Sequence, residues 1–302
     1  MVFFSVIIPT CNRNENLARC LEALQEAKNV LQFERRDIRC EVIVSDDGPA
    51  PNAEGLIAEK FTWAKWIGGP KRGPAANRNN AAKNASGEWL VFVDDDCIPS
   101  AKWLAAFAIF AETKEYPVLE GKTIPQGRRV RADHGCPSNL SGGVLWSCNF
   151  AIRRSVFLEI RGFDESFPFP AMEDVDLHHR IRKKQLPIKF VPDAVVEHPW
   201  RVDGDADLLK RVKSLDYFIK KHPETEPMFS KCWGFRRVIR ILVFEFPRNV
   251  LRFGNKGSLR KLYLDLCFSC YFFRIRVKRR IPGLNGRFPE SAGSQFVGPS
   301  GG

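Results

Sequence analysis

Leu90-Val91-Phe92-Val93-Asp94-Asp95-Asp96 is the stretch on which the reading of this chain turns. Four consecutive apolar residues, two of them β-branched, predict a buried strand, and the three carboxylates then project from its end. An acidic triplet on its own also fits a helix cap or a solvated loop. At the end of a buried strand it places hard oxygen ligands that suit Mg²⁺ or Mn²⁺, and such an ion could neutralise a diphosphate. The ligand this implies is a nucleotide.

Working outward, strand patterns and helical patterns alternate: Phe3 to Ile8 then Glu15 to Lys28, Glu41 to Val44 then Ala53 to Lys60, and Trp89 to Val93 then Ala101 to Ala111. Such alternation predicts an α/β fold with a Rossmann-like, mainly parallel sheet flanked by helices. In open sheets of this kind ligands bind beyond the carboxyl ends of the strands. Pro9 to Arg13 follow the first strand, Asp46-Asp47-Gly48 the second and Asp94 to Asp96 the last, so parallel strands bring the three clusters to one crevice. Asp46 and Asp47 fit a turn before Gly48-Pro49 or contacts to a base and ribose. Arg78 and Asn79, at the start of a helical segment, fit either a surface salt bridge or a phosphate contact.

Beyond residue 113 the pattern loosens between Tyr116 and Leu145, where Gly, Pro and basic residues predict loop and short strand. Helical periodicity returns at Arg154 to Ile160 and Asp174 to Lys184, followed by an extended stretch from Ile188 to His198 broken by Pro192. A second acidic focus lies here, Gly162-Phe163-Asp164-Glu165 and then Glu173-Asp174-Val175-Asp176, with Arg180 on the same side of the helix as Asp174. A carboxylate at a helix start can simply complement the dipole. It is also suited to a general base that reaches a substrate from a direction other than that of the acidic triplet. His198 is a structural histidine or a metal ligand.

The net charge of +12 is distributed unevenly. Residues 1 to 230 carry 32 basic and 32 acidic side chains, and residues 231 to 302 carry 15 against 3. The body is therefore neutral, which argues against a nucleic-acid-binding fold. Cations alternate with aromatic and aliphatic residues from Phe235 to Arg280, and the run Leu262 to Phe273 is too short to cross a bilayer. The pattern predicts a basic amphipathic helical appendage on an anionic membrane surface through 231 to 281, or a helical unit packed on the body or on a second copy. Nine cysteines without a spacing framework, and an apolar start that runs into Pro9-Thr10 with no basic segment before it, set the expectation of a reducing compartment. That places the protein in the cytoplasm, peripheral on the membrane face.

Taken in order, several short motifs resemble glycosyltransferase family 2, whose fold is the GT-A type. They are Val6 to Arg13, Val44 to Gly48, Gly73 with Arg78-Asn79, Val93 to Asp96, Ser147 to Arg154, Gly162 to Glu165, and Glu173-Asp174 leading to Arg180, over roughly residues 3 to 200. The resemblance implies an inverting, divalent-metal-dependent transferase that moves a sugar from a UDP-sugar to a hydroxyl of a glycan or lipid-linked acceptor, in cell-surface polysaccharide or glycolipid synthesis. It implies donor contacts from Pro9, Thr10, Asn12, Arg13, Asp46, Asp47, Arg78, Asp94 and Asp95, with Asp47 at the nucleobase and Asp95 at the ribose. Asp96 and His198 are implied as ligands of Mg²⁺ or Mn²⁺, Asp174 as the catalytic base, and Cys148, Asn149, Glu173 and Arg180 as acceptor contacts. Cys11 and Asn77 depart from the family's aromatic and alanine residues at those places. The expected domains are a catalytic unit at 1–222, with a nucleotide-binding half at 1–113 and an acceptor-binding half at 114–222, then the basic helical region at 223–281 and a disordered tail at 282–302. A phosphatase of the haloacid dehalogenase type also carries D-x-D after an apolar strand, but at the first strand of its core, whereas two strand-helix units precede Asp94. A nucleotidyltransferase would need a Gly-rich cationic loop after the first strand, and Pro9 to Arg13 is not one.

Overall fold

A computed structural model describes residues 2–50, 52–113, 115–202, 205–232 and 235–280, with backbone alone at 205–210, 230–232, 235, 272 and 274–280. The first half is built from β1 (Phe3–Thr10), α1 (Asn14–Glu34), β2 (Arg39–Asp46), α2 (Glu54–Lys60), β3 (Lys65–Gly68), α3 (Pro74–Lys83), β4 (Trp89–Phe92), β5 (Ile98–Pro99) and α4 (Trp103–Thr113). Then come β6 (Val118–Pro125), β7 (Phe150–Arg153), α5 (Arg154–Glu159), α6 (Glu173–Lys183), β8 (Ile188–His198) and α7 (Asp205–Lys221). The C-terminal helices are α8 (Glu226–Cys232), α9 (Phe235–Arg240), α10 (Phe246–Phe253) and α11 (Ser258–Arg280), with one π-helical turn at Ile241–Glu245 joining α9 to α10.

Strand side chains alternate between two cores, as the pleat requires. Val6 and Ile8 of β1, Trp89 and Val91 of β4 and Ala151 of β7 pack with α1 and α4. Ile7, Leu90 and Phe92, and Phe150 and Ile152, point the other way, against Ala81 of α3, Phe157 of α5 and Leu177 and Ile181 of α6. Phe92 and Phe150 stack at 4.7 Å across the β4–β7 pair. On α1 the buried set Leu17, Cys20, Leu21, Leu24, Ala27, Lys28 and Leu31 follows helical spacing, so that one stripe meets the sheet.

The eight strands run in the order β3-β2-β1-β4-β7-β6-β8-β5. β1 to β4 are parallel neighbours, β7 is antiparallel to both β4 and β6, β6 and β8 are parallel, and β5 closes the edge antiparallel to β8. This is a mixed sheet with helices on both faces, as expected. The structure adds β3 ahead of the helical segment expected around Arg78, which is α3, and the stretch at 116–145 holds β6 followed by a loop. Pro192 does not break β8. The pairing steps from Gly121↔Val191 to Lys122↔Val195, so residues 192–194 bulge out and a residue without an N–H costs no ladder bond.

The C-terminal helices pack on the body. Leu215, Phe218 and Ile219 of α7 form a third core with Phe167, Met172 and Val175 of the sheet-bearing body and with Phe229 of α8 and Phe268 of α11. The expected boundary between 222 and 223 falls inside this packed unit. Among the described residues no helix is long and apolar enough to cross a membrane. The expected disordered tail at 282–302 lies outside the described residues.

Candidate active site

The parallel register places Pro9 beside Ser45 and Thr10 beside Asp46, and the N–H of Val93 donates to the Ile7 carbonyl, so the three polar strand ends meet at one edge of the sheet. A cleft of about 570 Å³ opens there, lined by Pro9, Thr10, Arg13, Asp47, Arg78, Asp94, Asp95 and Glu173 among others. A second cleft of about 440 Å³ adjoins it and shares Asp94, Ser147, Pro170, Glu173 and Arg201; Cys148, Asp174 and His198 line its far part. The two halves make one bipartite crevice, with the acidic triplet on one wall and the start of α6 on the other.

Within the first cleft each carboxylate has its own environment. Asp95 is buried, accepting from Thr10 Oγ1 at 2.8 Å and Arg13 at 3.2 Å. Burial outweighs these partners and raises its pKa. Burial also acts on Asp94, but there the Arg78 guanidinium, 2.5 Å away, wins and holds the pKa below the ordinary carboxylate range. Asp47 sits on the wall with its oxygens receiving the N–H groups of Lys71 at 2.8 Å and Gly73 at 3.1 Å. Asp46 faces away. Its oxygens accept from Gly48 at 2.8 Å and Ala53 at 2.7 Å, closing the β2–α2 loop. Asn12 takes a left-handed conformation (φ 55°) that turns the chain from β1 into α1.

Arg78 ties the halves together, since its guanidinium also lies 3.6 Å from Glu173. It is buried, yet among the described residues its Nε and the terminal nitrogen nearest Glu173 have no acceptor at hydrogen-bond distance, and one Glu173 oxygen has no donor. Buried cationic N–H groups without acceptors at a cleft wall fit an anionic ligand. Asn77, in place of the family's alanine, donates to the carbonyls of Thr10 at 3.2 Å and Ser45 at 2.8 Å, clamping α3 to the ends of β1 and β2.

At the second cleft, α6 begins after Met172, whose φ of 76° sets the entry. Asp174 accepts from its neighbour Val175 N–H at 2.8 Å and, weakly, from Ser147 N–H at 3.5 Å. Burial raises the pKa of both Asp174 and Glu173, the latter to about 7 with the Asp174 charge as the second cause. Both carboxylates therefore hold a proton more tightly than a carboxylate in water does.

His198 ends β8 with Nδ1 2.8 Å from the Pro199 carbonyl, an atom that can only accept, so Nδ1 carries a proton and Nε2 is the nitrogen on the side of Asp96. Nε2 lies 3.9 Å from Asp96, and the Cys97 thiol is close to both. A carboxylate and an imidazole side by side fit a divalent cation. The second Asp96 oxygen is paired with Arg201. Arg201 has no motif around it; its position depends on a backbone bridge between Gly135 and Arg201, which sequence reading did not anticipate.

Two residues expected at the acceptor are committed elsewhere. Asn149 is buried, accepting from Trp103 Nε1 at 2.8 Å and donating to the carbonyls of Lys122 and Ala194 at 2.9 and 3.0 Å. Arg180 donates to the carbonyls of Ile160 and Gly162 at 2.5 and 2.6 Å and to Asp176 at 2.7 Å, and so supports the 160–165 turn from the far side of α6.

The model of glycosyl transferase family 2 matches residues 5–161, from β1 through α5. The chain belongs to this family. Among curated members it is similar to a validoxylamine A glucosyltransferase of Streptomyces hygroscopicus subsp. jinggangensis (strain 5008), 24% identical over 269 residues that cover 74% of this chain. The chain spans 62% of that relative's length. Among solved structures it is similar to the mannosyltransferase PcManGT from Pyrobaculum calidifontis in complex with GDP-Man and Mn²⁺, with TM-score 0.54, 18% identity and coverage of 92% of this chain and 79% of the other. It is also similar to GalNAc-T7 with UDP, GalNAc and Mn²⁺, with TM-score 0.53, 17% identity and coverage of 74% and 51%. At these identities the structural likeness establishes the fold. The family match ends before Glu173, Asp174 and His198, whose roles rest on the geometry above.

Proposed function

We propose that the protein is an inverting, divalent-metal-dependent glycosyltransferase that takes a sugar from a UDP-sugar to a hydroxyl of a glycan or lipid-linked acceptor. One observation carries the reading: a single buried arginine, Arg78, touches both Asp94 of the acidic triplet and Glu173 beside Asp174, so a nucleotide-binding wall and a proton-accepting wall face each other across one crevice. Family membership supports sugar transfer, and the printed complexes of the two structural neighbours support a nucleotide-sugar donor with Mn²⁺.

In this reading Asp47 takes the ring N–H of uracil and Asp95 the ribose, while the acceptor-poor N–H groups of Arg78 meet the diphosphate. Asp96 and His198 would hold the metal ion, which supplies Lewis-acid stabilisation of the departing diphosphate. Asp174 accepts the proton of the acceptor hydroxyl as its oxygen bonds to the anomeric carbon. The bond from that carbon to the diphosphate oxygen breaks on the opposite face, which inverts the centre. Cys148 and Glu173 border the acceptor. The deciding experiment is a panel of nucleotide sugars scored for metal-dependent hydrolysis and thermal stabilisation. UDP-sugars with Mn²⁺ are expected to respond in the native protein and not in Asp96→Ala; a response unchanged by chelator or by the substitution would overturn the metal assignment.

A further inference from the structure

The π-linked pair α9–α10 carries apolar residues that the fold leaves outside its core. None of the eight residues of α10 is buried, although Phe246, Val250, Leu251 and Phe253 are among them. Leu251 is 88% exposed and Phe244 67%, with Leu242 and Val243 beside Phe244 also exposed. The same segment carries Arg236, Arg237, Arg240, Arg248 and Arg252 against one acid, Glu245. Glu245 is taken by Arg237 and Arg240, whereas among the described residues no carboxylate pairs with Arg248 or Arg252. On α10 these two arginines lie one turn apart, next to the Pro247 and Leu251 row. We infer that this ridge docks on an anionic lipid bilayer, with Phe244 and Leu251 entering the acyl boundary and Arg248 and Arg252 lying among phosphate headgroups.

Charge selects this occupant. A second copy meeting the ridge symmetrically would bring like charges together. A nucleic acid would engage the arginines but leave Phe244 and Leu251 in water.

The position of the ridge gives docking a consequence for the reaction, and this part rests on the function proposed above. Arg129 lies over the Phe253 ring at 5.3 Å, the Lys256 carbonyl accepts from Ala132 N–H at 2.9 Å, and Arg260 pairs with Asp133 at 3.1 Å. The loop so clamped continues into Gly135, Cys136 and Pro137, which line the acceptor half of the crevice. The bilayer therefore meets the protein beside the acceptor entrance, and the acceptor delivered there is membrane-borne.

Co-sedimentation of the full-length chain with vesicles tests the ridge. Phosphatidylcholine vesicles containing phosphatidylglycerol are expected to retain the protein, and phosphatidylcholine alone is expected to retain little. Leu251→Glu and Phe244→Glu, at exposed positions, should each weaken partitioning about tenfold or more. Arg248→Glu with Arg252→Glu should weaken it and flatten its salt dependence. Mn²⁺-dependent UDP affinity, measured on the same variants, is expected to be unchanged, so loss of docking is distinguished from failure of the site. Equal retention by neutral and anionic vesicles, wild-type retention of Leu251→Glu, or a dimer or RNA complex abolished by that substitution would overturn the assignment.

Discussion

Asp174 and Glu173 are adjacent carboxylates with different surroundings, and their difference is open to measurement. Asp174→Asn is expected to bind Mn²⁺ and UDP within about twofold of wild type and to lose ~10²-fold or more in turnover, because a positioned proton acceptor is removed while the donor wall is untouched. Retention of most of the rate would move the role to Glu173. Burial, then the Asp174 charge, raises the Glu173 pKa from 4.5 to about 7, and burial raises that of Asp174 as well. The pair titrates together and both members are raised, so the acid limb of kcat/KM should lie above the ordinary carboxylate range. Glu173→Gln removes one of the two charges and should shift that limb to lower pH. The stability sign runs the other way from the usual carboxylate. The folded state holds the Glu173 proton more tightly than the unfolded chain, so this contribution declines as pH rises from about 4.5 to about 7 and stays lost above it. A stability profile from urea titrations across that window, flattened in Glu173→Gln, is the expected record.

At the scale of elements, the crevice depends on polar clamps that hold strand ends and loops in place. Asn149 is the clearest. Its amide joins β7 to the Trp103 indole of α4, the Lys122 carbonyl of β6 and the Ala194 carbonyl in the β8 bulge. Gly121 is required beside it, since a Cβ there would lie 2.2 Å from the Asn149 oxygen. Asn149→Leu keeps the volume but leaves three buried partners unsatisfied, at a cost of about 2–4 kcal/mol. The urea midpoint should fall accordingly while KM for acceptor in the folded fraction stays near wild type; an acceptor-binding role would reverse that pattern. Glu120 has a similar duty, receiving Asn139 Nδ2 at 2.7 Å and the N–H groups of Gly143 and Val144 at 3.0 and 2.6 Å, which shapes the loop ahead of Ser147.

For the whole molecule, the charge imbalance of the C-terminal quarter coexists with close packing on the body. Phe218 is buried between the catalytic unit and the last helices, and Asp176 accepts from Arg180, Lys221 and His222 at the same junction. Phe218→Ala is therefore expected to cost about 3–5 kcal/mol, and Phe268→Ala, half-buried on α11, about 1–3 kcal/mol. Both should lower Tm in thermal melts, and a chain cut near residue 230 should melt lower still than Phe268→Ala. If Phe268→Ala and the shortened chain melt like wild type, the helices after α8 contribute no stability and serve the surface alone.

The amino-acid sequence by itself determined the sheet's first half and the meeting of its three polar ends. Apolar runs of the right period make strands, helical stripes between them make the connections parallel, and parallel strands bring their carboxyl ends to one edge whatever the side chains there do. Asp94 to Asp96, Pro9 to Arg13 and Asp47 were legible for that reason. Which of several chemically equal groups faces the crevice was decided only by tertiary structure. Asp46 differs from Asp47 by one position but closes its own loop. Arg180 resembles Arg78 in type, yet its partners are carbonyls 18 and 20 residues back. The Asp96 partner Arg201 is 105 residues away, and the last helices meet the body through an apolar core as well as through charge. Local pattern encodes a strand or a helix because its period acts between near neighbours. The fate of a carboxylate depends on donors brought in from remote segments, and these become neighbours only when the sheet is complete.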